Sequence, residues 1–488
     1  MSFWTPDNIK SIVGGTWLAR GASVDLGGAA IDSRAVRPGA VFFALRGEKT
    51  DGHRFLAAAA QQRAGLAVVD DPAACGTLPA GLSVLRVGNV GQAMLRLAGE
   101  YRQTLEGTRV ISVSGSNGKT TTTRLLEGVL SAHRRGTASP KSFNNSIGVP
   151  LTILNARRGD AFLICEVGTN APGEIAALAR VVRPDIAVIT SIGREHLEGL
   201  GSIGGVIDEE SSIVSELQPG GLVIVPDVPS ELTVRVRARL ASVLRTEPNI
   251  VRVGRGSEAD LRVGKVNTDG AGTTFWLNDR VRLRVPLVGA HNALNAANVV
   301  AVARRMGLDD AAIASTLETC VGAEMRLRLE RAGGVDVLND AYNANPESML
   351  AALETFASLG RTLGGSGGQR VAIVADMLEL GDAGPEAHRE IGEAIARDGT
   401  IDRVVLVGPL MLFAADRLRR SWGAERVMIV PEASDEACRE IASTLRPGDF
   451  VLLKGSRRMG LERVARALGG GGAEGAGAAR AVAADRVG

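Results

Sequence analysis

The chain is short of cysteine, of net charge and of long apolar runs, and each shortage excludes a class of function. Cys75, Cys165, Cys320 and Cys438 are isolated, with no pair at metal-binding or redox spacing. That sets aside a zinc ribbon, a dithiol centre and a disulfide-stapled scaffold, and the thiols are expected to be reduced and structural. Lysine plus arginine (56) nearly balances aspartate plus glutamate (54), for a formal net charge of +2. No general attraction to nucleic acid or to an anionic membrane follows, so neither is expected as a partner. No segment approaches eighteen uninterrupted apolar residues, and Met1-Ser2-Phe3-Trp4-Thr5-Pro6-Asp7 lacks a basic start followed by an apolar run. A cytoplasmic location is the expectation.

What is present is an ordinary globular composition over 488 residues, a length that predicts about three domains. The most informative stretch is Val113-Ser114-Gly115-Ser116-Asn117-Gly118-Lys119-Thr120-Thr121-Thr122. A β-branched run precedes it and apolar residues at helical spacing follow it, which is the strand, glycine turn and helix of a phosphate-binding loop. Backbone N–H groups at such a helix start face outward, and the helix dipole adds positive potential where phosphate oxygens would sit. Gly115 and Gly118 allow close approach, Lys119 reaches the outer phosphates, and the Thr120 hydroxyl completes a magnesium shell. The general pattern would put its first glycine at position 113, where this chain has valine, so the loop is a shortened form. The bland alternative is a glycine turn with an incidental lysine.

Around this loop, short apolar runs and helical segments alternate. Strands are expected at 41–45, 66–69 and 82–85, then at 110–113, 162–168, 186–190 and 222–225. From about 250 to 288 the pattern predicts a peripheral antiparallel hairpin layer, and from about 326 a third, mostly parallel α/β unit. A glycine-rich loop is expected over 360–368 and a disordered tail over 469–488. Several polar clusters stand at strand ends. Asp32-Ser33-Arg34 reads either as turn chemistry or as a binding motif, and Asn144-Asn145 as a turn or as ligand contacts. Glu166 ends a buried strand, where a second magnesium ligand is expected on a sheet that carries a phosphate loop. His196 follows the next strand and has either a structural role or one toward metal or phosphate, and a long helical run is expected after it, through Glu209, Glu210 and Ile213. Asn292 opens an alanine-rich helix as a cap or a base contact.

At Asp340-Ala341-Tyr342-Asn343-Ala344-Asn345-Pro346, taken with the loop at Gly115, the sequence resembles the Mur ligase family. The resemblance extends through Asp32-Ser33-Arg34, Asn144 to Pro150, Glu166 to Asn170, His196-Leu197-Glu198, His291-Asn292, Asp376 to Gly381 with His388, and Lys454 to Arg457. It implies a small N-terminal α/β domain (1–104) holding a UDP-sugar, a central phosphate-loop ATPase domain with a mainly parallel sheet (105–324), and a C-terminal Rossmann-like domain (325–468). It implies amide ligation in peptidoglycan precursor synthesis, with ATP and Mg2+ as cofactors. The tyrosine-asparagine run and the double asparagine imply the branch whose partners are UDP-N-acetylmuramoyl-tripeptide and D-alanyl-D-alanine. A monomer is the expectation, though no motif in the sequence specifies it.

Position by position, the resemblance implies that Gly115, Ser116, Asn117, Gly118, Lys119, Thr120 and Thr121, with Asn292, Arg326 and Asp340, contact the nucleotide. Thr120, Glu166 and His196 would face metal. Ser33 and Arg34 would meet the UDP-sugar, and Asn144, Asn145, Tyr342, Asn343, Asn345, Lys454 and Arg457 the peptide or dipeptide. Where the family usually carries a carbamylated lysine, this chain has Glu210, fourteen residues after His196. Its oxygens fall roughly 3 Å short of a carbamate by bond count. The alternative is a solvated face of Asp208, Glu209 and Glu210. A sibling ligase with another amine, and an inactive nucleotide-binding regulator, are the competing functions.

Overall fold

The computed structural model describes residues 2–21, 24–243, 249–363 and 367–470. The tail expected to be disordered lies outside the described residues from 471 onward. Three sheets organise the described chain. The first runs β1 (Thr16–Ala19), β5 (Ser83–Arg86), β4 (Leu66–Val69), β3 (Val41–Phe43) and β2 (Ala29–Ala30), parallel except where β1 meets β5. The central sheet runs β14 (Val281–Val285), β13 (Gly272–Leu277), β12 (Leu261–Asp269), β11 (Asn249–Gly254), β10 (Leu222–Pro226), β9 (Ile186–Ile189), β6 (Arg109–Ser114), β8 (Phe162–Glu166) and β7 (Gly136–Ala138). The third runs β15 (Arg328–Ala332), β16 (Val335–Asp340), β20 (Phe450–Lys454), β17 (Arg370–Ala375), β18 (Arg403–Val407) and β19 (Val427–Val430), parallel beyond the β15–β16 hairpin.

Strands β6, β8 and β9 are buried on both faces, which is why their sequences read as continuous apolar runs. Alternate residues of β9 enter different cores, Ala187 and Ile189 on one face and Ile186 and Val188 on the other. The register sets Val113 beside Glu166 and Ser114 beside Ile189, so the phosphate loop leaves the sheet between two neighbouring strand ends. Ligands of open α/β sheets bind at this edge.

Three expectations need correction. The block from 250 to 288 is antiparallel only from β12 to β14, because β11 pairs parallel with β10 and extends the central sheet. The helical run expected to reach Ile213 ends as an α-helix at Glu210 and tightens into a 3-10 turn over Ser211–Val214, where serine hydroxyls back-bond to Asp208 O. The helix Pro346–Leu363 passes through Gly360, where a loop was expected. A Cβ there would come within 3.1 Å of the Arg370 side chain, so that glycine serves close helix-to-strand packing. Of the expected loop, residues 364–366 lie outside the described residues.

The two joints of the central sheet differ. Toward the N-terminus, the helix Val90–Gln103 buries Met94, Leu97 and Tyr101 in one apolar core with Leu163, Cys165 and Ile189. Polar pins surround it: Tyr101 Oη donates to Ala156 O (2.8 Å), Arg102 to Val182 O (2.9 Å), and Asn155 Nδ2 to Ala29 O (3.0 Å). Toward the C-terminus the joint is made of charges. Arg194 donates to Glu347 (2.7 Å) and to Glu390 (2.7 Å), and Asn345 Nδ2 to Asn117 Oδ1 (3.1 Å).

Candidate active site

A cleft of about 1180 Å³ opens at this charged joint, between the phosphate loop, the helix Val90–Gln103 and the turn after β16. Its loop wall needs its glycines. Gly115 has φ +115°, and a Cβ there would lie 2.5 Å from Thr190 Oγ1; at Gly118, with φ +91°, a Cβ would lie 2.3 Å from Asn295 Oδ1. The helix Lys119–Ser131 begins at Gly118 with no side-chain cap, leaving its first N–H donors free for an anion. The Lys119 ammonium donates to Gly115 O and Ser116 O and stands 3.6 Å from Glu195 Oε2. Burial pulls Lys119 down, but the negative charges of Glu195, Glu210 and Glu166 outweigh it, and its pKa is raised.

Two polar clusters share this cleft. In the first, Thr120 Oγ1 lies 3.1 Å from Glu166 Oε1, with Ser142 Oγ at 3.0 Å, Asn144 Nδ2 donating to the same glutamate oxygen (3.0 Å), and Arg326 Nη2 donating to Thr120 (3.0 Å). Glu166 is 1% exposed, and its Oε2 has no hydrogen-bond partner. Burial raises its pKa against the pull of Arg326 and Lys119. In the second, His196 Nε2 is 3.8 Å from Glu195 Oε2, while Nδ1 is 2.6 Å from Glu379 Oε2. Burial lowers the His196 pKa and Lys119 lowers it further, keeping the ring neutral.

The turn after β16 is tied from below. Lys454, 3% exposed, donates to Asp340 Oδ2 (2.7 Å) and to Asn343 O (2.7 Å), and Asp340 also accepts the Leu327 N–H. Arg326 sits between two left-handed residues, Met325 (φ +55°) and Leu327 (φ +50°), and stacks 4.3 Å over the Tyr342 ring. The helix Asn292–Arg305 supports the loop, with Asn292 Nδ2 bonded to Val288 O (2.8 Å) and its Oδ1 accepting from Asn295 (3.0 Å). Asn292 therefore caps no helix N–H group. The double asparagine divides its work: Asn144 orients Glu166, and Asn145 Oδ1 accepts the N–H groups of Ile147 (3.1 Å) and Gly148 (2.9 Å) to start a helix.

Of the residues singled out in the sequence, Ser116, Asn117, Gly118, Lys119, Thr121, Asn144, Asn145, Glu166, His196 and Asn292 line the cleft. So do Arg326, Asp340, Tyr342, Asn343, Asn345 and Lys454. Gly115 and Thr120 lie just beneath its surface. Ser33 and Arg34 do not line it: Asp32 accepts the Arg34 N–H (3.0 Å) and pairs with its guanidinium, which is 88% exposed. Arg457 pairs with Glu462 (3.0 Å) and also stays outside. Glu210 is fully buried beside the loop rather than in the cleft, and neither of its oxygens has a hydrogen-bond partner. The solvated-face alternative fails for Glu209 as well, which accepts N–H groups of Gly173 (2.7 Å) and Ile175 (2.7 Å). Sequence reasoning passed over Glu195, although an acid beside a strand-end histidine was the signal; Glu379 lay within the noticed Asp376 to Gly381 segment, but nothing local paired it with a histidine 183 residues away.

Comparison with known proteins matches the chain in three blocks. Residues 26–101 match "Mur ligase family, catalytic domain", 113–303 "Mur ligase middle domain", and 325–457 "Mur ligase, glutamate ligase domain". A protein of Bacillus subtilis named UDP-N-acetylmuramoyl-tripeptide--D-alanyl-D-alanine ligase is 35% identical over 446 residues, covering 90% of this chain and 93% of its own length. Its counterpart of the same name in Escherichia coli is 31% identical, covering 92% and 95%. The crystal structure of MurF from Acinetobacter baumannii superposes with a TM-score of 0.79 at 27% identity, covering 94% of this chain and 97% of its own.

Proposed function

This chain belongs to the Mur ligase family, and from that premise we propose that it joins D-alanyl-D-alanine to UDP-N-acetylmuramoyl-tripeptide, driven by ATP, in peptidoglycan synthesis. The observation that carries the reading is the cleft itself. A half-buried lysine on a glycine loop faces the asparagine turn after β16 across one continuous space, and that space also reaches Arg96, Arg180 and Arg183, whose charges suit an anionic UDP-peptide.

The reaction starts against like-charge repulsion, because the terminal carboxylate of the tripeptide must attack the γ-phosphorus of ATP. The open N–H groups of the helix at Lys119 and the Lys119 ammonium stabilise the charge that spreads over the transferring phosphoryl group. Arg326 donates toward the same place from the other side of the joint. The bond from the γ-phosphorus to the β,γ-bridging oxygen breaks, so ADP leaves and an acyl phosphate results. The dipeptide amine then attacks its carbonyl, and inorganic phosphate leaves as the amide bond forms. The Tyr342 to Asn345 turn, held by Lys454, is positioned to orient that amine.

The residues present fit Mg2+. Glu166 has a buried oxygen with no partner beside the Thr120 hydroxyl, and magnesium takes few protein oxygens, completing its shell with phosphate and water. Among the described residues no three acids, cysteines or histidines gather at metal spacing. We assign Thr120 and Glu166 to one Mg2+ and His196 to the neighbourhood of a second; when bound, the ions would neutralise phosphate charge. Glu210 acts on this site as a buried negative charge through Lys119, a role that needs no carbon dioxide.

The test is to offer the purified protein ATP, Mg2+, UDP-N-acetylmuramoyl-tripeptide and competing amines together, and to identify the product by mass spectrometry. Incorporation of D-alanyl-D-alanine alone is expected. Equal incorporation of single amino acids would reassign the chain to a sibling activity.

A further inference from the structure

The segment Asp376-Met377-Leu378-Glu379-Leu380-Gly381 and the distant His388 stand out in the sequence, yet the reaction as described uses neither. In the structure this segment follows β17 and is pinned at three successive points. Asp376 Oδ1 accepts the Met411 N–H (3.0 Å), the Met377 N–H donates to His388 Nε2 (3.0 Å), and the Leu378 N–H donates to Ser456 Oγ (2.8 Å). His388 is itself buried and donates from Nδ1 to Gly384 O (2.6 Å), which fixes its tautomer.

What these contacts hold in place is Glu379, a non-glycine residue at φ +66°. It reaches across the charged joint to His196, which also has a left-handed backbone, at φ +51°. Two such residues, each rare alone, thus meet from separate sheets, and strain of this kind persists where surrounding structure over-determines it. They touch twice. Glu379 Oε2 lies 2.6 Å from His196 Nδ1, and the Glu198 N–H donates to Glu379 O (3.1 Å).

We propose that Glu379 is a positioning residue: by accepting the Nδ1–H of His196 across the joint, it fixes the imidazole tautomer and presents a bare Nε2 to the cleft. An ionised carboxylate can only accept, so the proton must sit on Nδ1. Nε2 then points toward Glu195 and the Lys119 end of the cleft. Carboxylate-to-histidine contacts of this form orient metal-facing and phosphate-facing imidazoles in general. The consequence is that the histidine is set correctly only while the C-terminal sheet is docked, which couples domain closure to assembly of the site. The inference rests on His196 belonging to the reaction cleft, as proposed above.

The test reads the His196 tautomer directly, by long-range nitrogen–proton NMR of histidine-labelled protein saturated with ADP. Wild type is expected to show Nδ1–H, Glu379→Ala to move to Nε2–H, and Glu379→Gln, whose amide oxygen still accepts, to keep Nδ1–H. The Glu379 side chain is 53% exposed, so neither variant should disturb folding. Turnover should fall about 10–100-fold in Glu379→Ala. The KM for D-alanyl-D-alanine should stay within about 2-fold, and Glu379→Gln should recover most of the loss. An unchanged tautomer in Glu379→Ala, or equal losses in the two variants, would overturn the proposal. Because the tautomer is read without turnover, a chain that ligated nothing would defeat the functional reading and leave this one standing or falling on its own.

Discussion

The two joints of the central sheet are built from opposite materials. On the N-terminal side, Met94, Leu97 and Tyr101 share a core with the sheet's own strands, so separating them would expose a large apolar surface. On the C-terminal side, Arg194 meets Glu347 and Glu390, His196 meets Glu379, Arg326 meets Thr120, and Asn345 meets Asn117. Partly exposed ion pairs of this kind contribute little net stability, because the water they displace solvated the same charges well. The first joint is therefore a permanent one and the second can open. All the residues assigned to phosphate, metal and amine lie at or beside the second, where substrates can enter before the wall closes.

Substitutions can break that contrast, and the largest effect is expected at the loop. Lys119→Ala should lower ligation by about 10²–10³-fold or more, since it removes the charge that stabilises the transferring phosphoryl group. Its melting temperature without nucleotide should fall only slightly, because the acids left without the ammonium, Glu195 at 3.6 Å first among them, can take up protons instead, and the glycines keep the shape of the loop. Leu97→Ala is the opposite case. A side chain buried to 0% exposure in the shared core should cost about 2–5 kcal/mol in denaturant unfolding, with turnover of the folded fraction unchanged. If Leu97→Ala instead spared stability and cut turnover, the permanent joint would be the wrong one.

Arg194→Ala should separate the two measurements again, on a smaller scale. Loss of both carboxylate partners should lower kcat/KM by about 10-fold through poorer closure, while unfolding shifts by no more than about 1 kcal/mol. Glu210 gives the smallest expected effect and the one with a pH signature. Burial raises its pKa above the ordinary 4.5, with Lys119 pulling the other way. A carboxyl group raised in the folded state contributes stability that is present below its unfolded pKa and lost as pH rises through the folded one. Glu210→Gln, uncharged at every pH, should therefore melt near wild type around pH 4 and be stabilised by about 1–3 kcal/mol at pH 8. Ligation by wild type should not respond to removal of bicarbonate. A stability difference that grew toward acid pH would contradict the burial argument.

Much of the cleft was legible because its chemistry is local. A strand, a glycine turn and a helix are contiguous, so Gly115 to Thr121 could be read without a fold, and Glu166 was legible because a strand-end acid has few other uses on such a sheet. The paired asparagines were half legible: their spacing showed that both mattered, but only the register of β8 assigns Asn144 to Glu166 and leaves Asn145 to a helix start. Arg34 stays ambiguous for a physical reason, since the spacing that suggests a motif also lets Asp32 close a turn onto it. Glu210 was ambiguous because three consecutive acids read as solvated. The helix turns two of them inward, Glu209 onto open N–H donors and Glu210 against Ser114 and Gly115 of the phosphate loop. The antiparallel block misled at β11 alone, whose alternating sequence suits either pairing.

The most direct measurement is the rate of inorganic phosphate release from ATP and Mg2+ with UDP-N-acetylmuramoyl-tripeptide present, recorded before and after D-alanyl-D-alanine is added. Steady phosphate release is predicted only after the addition, in step with formation of the pentapeptide product. Release that ran at the same rate without the dipeptide, or that required a different amine, would contradict the assignment.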